Sequence, residues 1–577
     1  MRGLLPALFL AAACAAPPSP AVPAGYAEGA GGALASSEPH ASAAGAEILA
    51  AGGNAVDAAV ATAFALAVTW PYAGNLGGGG FLVYRSPEGE SWFLDFREVA
   101  PRAAHPDLYR RPGGGVDREA SRRGWLAVAV PGSVPGLWEA HRRWGSLPWP
   151  RLLEPALRLA EEGFPLSALE RRRLASVRED LLRDPLARRI FLPGGAPPPE
   201  GALLVQPELA ATLRRIQAEG DRALRQGPVV RELVRAARAG GGILTEADFR
   251  DYQPVLRPVH RFVWRGLTLH AASLPSSGGL ILEQVLRSLE GHPLETWGWA
   301  SPWTVQLLGE AEARAFHDRN RWMADPEAMP FDPAALVDPA VLAERARLLR
   351  PDRYTPPEAL GGAGHPQPVE GGDTTHFSVV DAAGGAASVT TTLNGLYGAR
   401  VMAPGGFFLN NEMDDFAAAP GEPNSYGLIQ SEWNAVRPGL RPLSSMTPLV
   451  VEAEGRAVAV LGSPGGATIP SSVLQVFLNR FLFGMDPREA VSVPRFHRQD
   501  RPPDLQLEKG RLDPEGLRFL DAIGQPWRVR GPIGDVNALF RVPGGWAAVS
   551  DPRNPEGSAL ALPAQSPSPR RRAAISR

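Results

Sequence analysis

Asp373-Thr374-Thr375-His376-Phe377-Ser378 lies where a linker meets a strand. Upstream, residues 351–373 lose helical periodicity and carry Pro356-Pro357, Gly361-Gly362 and Gly371-Gly372. Downstream, Thr375–Asp381 alternates, Ala382-Ala383-Gly384-Gly385 turns, and Ser388–Leu393 returns as the second arm of a hairpin. A threonine that begins a strand is ordinary. At the end of a linker it gains a second meaning. If the chain is cut before Thr374, the new α-amine has an ordinary pKa of about 7.7–8.0 and is partly neutral near pH 7. It can then take the proton of its own hydroxyl, directly or through water, and activate an otherwise poor nucleophile.

Two further hairpins follow. One pairs Thr447–Val451 with Ala457–Leu461 around Glu452–Gly455, and the other pairs Leu539–Val542 with Trp546–Val549. Between them, Gly462-Ser463-Pro464-Gly465-Gly466 leads into an apolar helical stretch, Ser471–Phe483. Before the junction, helical periodicity dominates from about Val134 to Arg350. Nearer the start, Ala41–Ala51 reads as a small-residue helix stopped by Gly52-Gly53, and Asn54 caps a second helix to about Thr69. Phe81–Tyr84 and Trp92–Phe96 flank the turn Ser86-Pro87-Glu88-Gly89. Strand pairs late in the chain, with helices before and between, predict an α+β architecture of packed sheets flanked by helices.

Composition narrows the function. The 577 residues are 44% apolar and 21% charged, a globular balance. Lys+Arg 59 against Asp+Glu 61 leaves a net charge of −2, with no electrostatic footprint for nucleic acid. Cys14 is the only cysteine, so no intrachain disulfide and no cysteine zinc site can form. The histidines are scattered and no HExxH occurs, so neither a catalytic metal nor a cofactor is expected. Gly77–Gly80 lacks the GK[ST] of a phosphate loop and reads as close backbone approach or positive φ. Gly462–Gly466 is not the GxSxG of a serine-hydrolase elbow. At the N-terminus, Arg2 precedes the apolar run Leu4–Ala13, the length of a signal-peptide core and too short to span a bilayer. Ala11-Ala12-Ala13-Cys14 resembles a bacterial lipobox with Ala11 in place of Leu; the alternative is cleavage near Ala15 or Ala16, with Cys14 discarded. Export to the periplasm or another extracytoplasmic space is expected either way, with membrane contact only through a lipid on Cys14.

A set of motifs then carries a family resemblance. It comprises Gly53-Asn54-Ala55-Val56-Asp57-Ala58-Ala59, Gly78-Gly79-Gly80-Phe81, Leu94-Asp95-Phe96-Arg97-Glu98, Val130-Pro131-Gly132 and Thr374-Thr375-His376. It continues through Leu409-Asn410-Asn411-Glu412-Met413-Asp414-Asp415-Phe416, Arg441-Pro442-Leu443-Ser444-Ser445-Met446, Gly462–Gly466 and Ser550-Asp551-Pro552-Arg553. Over roughly residues 26–558 the chain resembles the γ-glutamyltranspeptidases, or glutathione hydrolases. The resemblance implies an αββα sandwich of the N-terminal-nucleophile type. It implies self-cleavage between Asp373 and Thr374 into a large subunit, 26–373, and a small subunit, 374–558, that stay together as a heterodimer. A signal peptide, 1–15, and a Pro/Ala tether, 16–25, would precede them, and a Pro/Arg-rich disordered tail, 559–577, would follow.

The same resemblance assigns roles. Thr374 would be the nucleophile and its amine the base, with Thr392 orienting the hydroxyl; otherwise Thr392 is a plain strand residue. Gly465 and Gly466 would offer N–H groups to the oxyanion. Arg97, Ser444 and Ser445 would hold the substrate α-carboxylate, and Glu412, Asp415 and nearby Asn394 the α-ammonium. Taken alone, Arg97 reads also as a surface ion pair with Asp95 or Glu98, Ser444-Ser445 as a turn, and Glu412 with Asp415 as a solvated acidic loop. Pro420–Leu440 would form a lid with Tyr426 as its tyrosine, and Glu432 and Trp433 are individual to this chain. The donor would be a small γ-glutamyl compound such as glutathione, and the acceptor water, an amino acid or a dipeptide. The rival of the same fold is a glutaryl or cephalosporin acylase, whose acyl group lacks the α-ammonium; the retained Glu412 and Asp415 argue against it.

Overall fold

The computed structural model describes residues 25–113, 115–360, 374–418 and 431–564; Cys14, Asp373 and the lid Tyr426 lie outside them. Two seven-stranded sheets form the centre. The first runs, edge to edge, Ser558–Ala561, Ala33–Ser36, Thr374–Val380, Ala386–Thr392, Gly79–Arg85, Ser91–Asp95 and Val255–Arg257. The second runs Tyr26–Gly29, Gly545–Ser550, Asn537–Val542, Arg456–Leu461, Leu449–Ala453, Leu267–Ala271 and His260–Trp264. All neighbouring pairs are antiparallel.

Strand alternation separates the two faces of the first sheet. Leu34, Leu82, Leu94, Phe377 and Val379 pack outward with the helices Pro39–Ala50 and Ala55–Thr69. Ala33, Ala35, Phe81, Val83, Phe93 and Val380 pack inward against the second sheet. The outer face of that second sheet is covered by Gly278–Ser288, Pro302–Trp322 and Ile469–Phe481. Four layers result, helix–sheet–sheet–helix, as expected.

The helix Ala55–Thr69 is buried at every position, which only a run of small and apolar residues permits. Asn54 caps it by accepting from Val56 N and Asp57 N, while the Asp57 carboxylate accepts from Asn54 N, a reciprocal capping box. Between the sheets the contact is partly polar. The His376 ring lies between Thr390 Oγ1, 2.9 Å from Nδ1, and Ser378 Oγ, 3.0 Å from Nε2. Ser378 Oγ donates across the gap to Asn537 O, and Asn537 Nδ2 donates back to His376 O. Burial holds the His376 imidazole down to about 3, so it is neutral. Gly462 lies directly over this ring, where any Cβ would overlap it.

The hairpins expected from the sequence are present, with ends shifted by a residue or two. Three elements correct the sequence reading. The helical run from Val134 to Arg350 is interrupted by Val255–Arg257, His260–Trp264 and Leu267–Ala271, which supply edges of both sheets. The tight turn Arg265-Gly266 joins the last two with positive φ at both residues, 49° and 80°. The stretch Tyr26–Ser36, unassigned from sequence, provides two strands. Ser558–Ala561 is a strand paired with Ala33–Ser36, so the folded small subunit extends past 558 into what the sequence reading gave to the tail.

Candidate active site

Thr374 opens the strand Thr374–Val380 directly opposite Thr392, which closes the strand Ala386–Thr392. Register alone therefore brings the two hydroxyls together, 3.3 Å apart. Thr392 Oγ1 also accepts from Asn394 N at 2.8 Å. Asn394 has a φ of 71°, a left-handed conformation that asparagine tolerates better than most residues. It turns the chain so that its Nδ2 donates to Asn411 O at 3.0 Å.

The acidic turn Glu412–Asp415 is anchored from behind. Asn410 Oδ1 accepts from Ala129 N and Glu412 N, and its Nδ2 donates to Gly77 O and Ala129 O. Asn411 Oδ1 accepts from Gly395 N. These bonds turn Glu412 and Asp415 inward, where both are buried. The acidic turn is therefore not a solvated loop.

Arg97 leaves the end of the strand Ser91–Asp95 and is 1% exposed, so it is not a surface ion pair. Its backbone N–H donates to Asp95 Oδ1, while Asp95 Oδ2 pairs with Arg257 and Arg441. The guanidinium donates through Nε to Pro442 O, through Nη1 to Glu412 Oε1, and through Nη2 to Asp415 Oδ2 at 2.6 Å. Burial alone would lower its pKa, but Glu412, Asp415 and Glu98 overcome that and hold it above its ordinary value. The expectation from sequence set Arg97 apart from the two acids, one at each end of a zwitterion. Here all three touch.

Ser444 and Ser445 face the same cleft. Ser444 is fixed by its backbone: its N–H donates to Pro275 O, and its carbonyl accepts from the N–H and the hydroxyl of Ser277. The Ser445 hydroxyl is buried without a hydrogen-bond partner among the described residues. Gly465 and Gly466 have φ of 134° and 56° and precede the helix Ile469–Phe481. Gly466 lines the cleft with Thr374, whereas Gly465, its chain neighbour, is not among the lining residues. Neither N–H donates to an acceptor among the described residues, and the helix N-terminus adds partial positive charge there.

Sequence reasoning missed Arg319. It projects from the helix Pro302–Trp322 into the cleft, bonded to Ser277 Oγ and to Asn320 Oδ1, each at 3.2 Å. Burial pushes it down to about 10, against the attraction of Asp415 and Asp500. Its only sequence signal was charge inside a helical run, which ordinarily means a wet face. The assembled cleft thus holds the Thr374 hydroxyl, two guanidiniums, two carboxylates and free hydroxyl and amide donors, and encloses open space of about 20 Å³, near the size of one water. Among the described residues, no cluster suited to a metal ion occurs.

The family model described as Gamma-glutamyltranspeptidase matches residues 41–561. The chain belongs to the γ-glutamyltranspeptidase family. A glutathione hydrolase proenzyme from Pseudomonas sp. is 42% identical over 499 residues, 86% of either chain. An Acylase ACY 1 proenzyme from Pseudomonas sp. is 38% identical over 539 residues, 92% of this chain and 91% of that one. The solved cephalosporin acylase from Bacillus halodurans superposes with a TM-score of 0.82 at 25% identity, covering 95% of this chain and 98% of the other. The four layers are accordingly those of a self-processing N-terminal-nucleophile hydrolase, built as one precursor. Both kinds of family relative match over nearly the whole length, so coverage does not separate them.

Proposed function

We propose that the chain is a γ-glutamyltransferase and glutathione hydrolase, activated by self-cleavage between Asp373 and Thr374. The observation that carries this is the Arg97–Glu412–Asp415 contact beside the unpartnered Ser445 hydroxyl, in one cleft with Thr374. Such a set can bind an α-amino acid end by exchange. The α-carboxylate takes the place of an acid at Arg97 and accepts from Ser444 and Ser445, while the α-ammonium takes the place of the guanidinium at Glu412 and Asp415, near Asn394. Like charge replaces like, so neither end of the zwitterion is buried unpaired.

In the reaction, Thr374 Oγ1 attacks the γ-amide carbon as its proton passes to the Thr374 α-amine. Negative charge on the former carbonyl oxygen is met by the N–H groups of Gly465 and Gly466. The C–N bond breaks, the amine leaves with that proton, and a γ-glutamyl ester remains on Thr374. Water or the amine of an acceptor amino acid or dipeptide then attacks the ester, giving glutamate or a new γ-glutamyl amide. Thr392 holds the Thr374 hydroxyl for the first step. Glutathione is the donor suggested by the glutathione hydrolase relatives. No helix among the described residues is long and apolar enough to cross a membrane, and the N-terminal signal supports export.

The acylase relatives favour a second reading, with a glutaryl-type acyl group in the same cleft. Initial rates on γ-glutamyl and glutaryl anilides, measured side by side, test the choice. A strong γ-glutamyl preference is expected. Equal or reversed rates would assign the cleft to an acylase.

A further inference from the structure

Glu98 takes no part in these steps, yet it sits at the site. It is wholly buried, and both its carboxyl oxygens lack a hydrogen-bond donor among the described residues. Its nearest guanidinium nitrogen, Arg97 Nη1, is 3.7 Å from Oε2. Gly79 gives it room, since a Cβ there would come 2.6 Å from that oxygen. That same nitrogen donates to another acid, Glu412, so the two carboxyl groups meet at Arg97 Nη1. Glu412 Oε1 is held by Arg97, and its Oε2 has no donor. Two carboxylates gathered at one guanidinium nitrogen in a dry site raise each other's pKa, and one proton between them turns repulsion into a charge-assisted hydrogen bond.

Resting on the ammonium reading of Glu412 and Asp415 above, we propose that Glu98 and Glu412 share one proton when no donor is bound, and that the donor's α-ammonium displaces it, so that the proton count of this pair selects the class of acyl group. Charge supports the count. Arg97 and Arg319 bring two positive charges, and Asp415 with the singly protonated pair brings two negative ones. The cleft is then neutral and suits an uncharged acyl carbon. Loss of the proton leaves one negative charge, which suits an ammonium. Burial pushes the Glu98 carboxyl up to about 7, with Arg97 opposing, and pushes Glu412 up as well.

Other charged and titratable groups face the pair. Tyr252, whose hydroxyl donates to Arg97 O, is kept a neutral phenol by burial. Asp95 is occupied by Arg257 and Arg441. Asp414, which accepts from Ser121 Oγ, pushes the Asp415 carboxyl up by its charge. The α-amine of Thr374 also titrates in the working range, but it serves every donor alike. A ratio of two donors cancels it.

The experiment compares kcat/KM for γ-glutamyl and glutaryl anilides on the processed enzyme between about pH 5.5 and 8, where the substrate ammonium, held protonated by the carboxylate on its own α-carbon, stays charged. The pair holds its proton more tightly in the glutaryl complex than in the ammonium complex. The γ-glutamyl to glutaryl ratio should therefore rise with pH, by up to about tenfold per unit for one proton, and level off above the pKa of the pair in the glutaryl complex. In Glu98→Gln the amide donates permanently to Glu412, and the ratio should lose its pH dependence. Appearance of both subunits on a denaturing gel shows that this variant folds. If it does not, the ratio of inhibition constants for glutarate and L-glutamate on the unaltered enzyme gives the same reading, rising with pH. A γ-glutamyl preference independent of pH overturns this proposal alone, as does a slope that survives in Glu98→Gln. No γ-glutamyl preference at any pH overturns the ammonium reading itself, and this proposal with it.

Discussion

At the residue scale, Ser445 separates binding from stability. Its hydroxyl is buried and gives no hydrogen bond to the fold. Ser445→Ala should lower kcat/KM on a γ-glutamyl anilide by roughly 10- to 100-fold, the worth of about 1.5–3 kcal/mol for a hydrogen bond to a charged group. The unfolding temperature should stay level or rise slightly, because an unsatisfied polar atom is removed. A large fall in that temperature with unchanged kinetics would place the hydroxyl in the fold instead. Thr374, Arg97, Glu412 and Asp415 were legible from motifs, but the contact of Arg97 with the two acids was not. It is made by residues 315 and 318 positions apart, and sequence says nothing of such distances. Arg319 was illegible because a buried arginine in a helix carries the same letter as a wet one.

At the element scale, the hairpins were legible because each joins alternating strands through a glycine-rich or polar turn. The Arg265-Gly266 hairpin was passed over, since arginine at positive φ is an uncommon choice for such a turn. The strands Tyr26–Gly29 and Ala33–Ser36 are four residues each, too short for a period to show. Gly462 gives the sharpest test at this scale. It follows the strand Arg456–Leu461 and lies against the His376 ring, which Thr390 and Ser378 fix on either side. Gly462→Ala should destabilise by about 1–3 kcal/mol, as overpacking does, and should slow the enzyme by displacing the strand that begins at Thr374. Thermal unfolding and initial rates check both. An unchanged protein would mean that the ring has room to move.

At the scale of the whole molecule, buried acids outside the reaction set a pH dependence. Burial pushes Glu170 and Asp535 up to about 7 and Glu312 up to about 8, as it does Glu98. In the folded state these groups keep protons that the unfolded chain releases near pH 4–5. Raising pH through that window therefore costs stability, until the folded pKa values are passed. His376 and His497, held down to about 3, act the other way, but only below about pH 6.5. Between about pH 6.5 and 8 the acids act without that opposition, so the unfolding temperature should fall across this interval. Calorimetry at constant ionic strength checks it, and a rise would show these carboxyls ionised in the folded protein.

Each sheet takes strands from both sides of the Asp373-Thr374 junction. Thr374–Val380 lies between Ala33–Ser36 and its own hairpin partner, while Gly545–Ser550 pairs with Tyr26–Gly29 and Leu449–Ala453 with Leu267–Ala271. Neither half closes its sheets without the other. Made as separate polypeptides, the halves would meet only by collision, at a rate set by their concentration, with central strand edges open to the wrong neighbours. Made as one chain, they assemble in a unimolecular step that dilution does not slow. On the proposed cleavage, the peptide bond at the junction is needed while the sheets interleave, and only afterwards can its nitrogen be released as the amine of an active site.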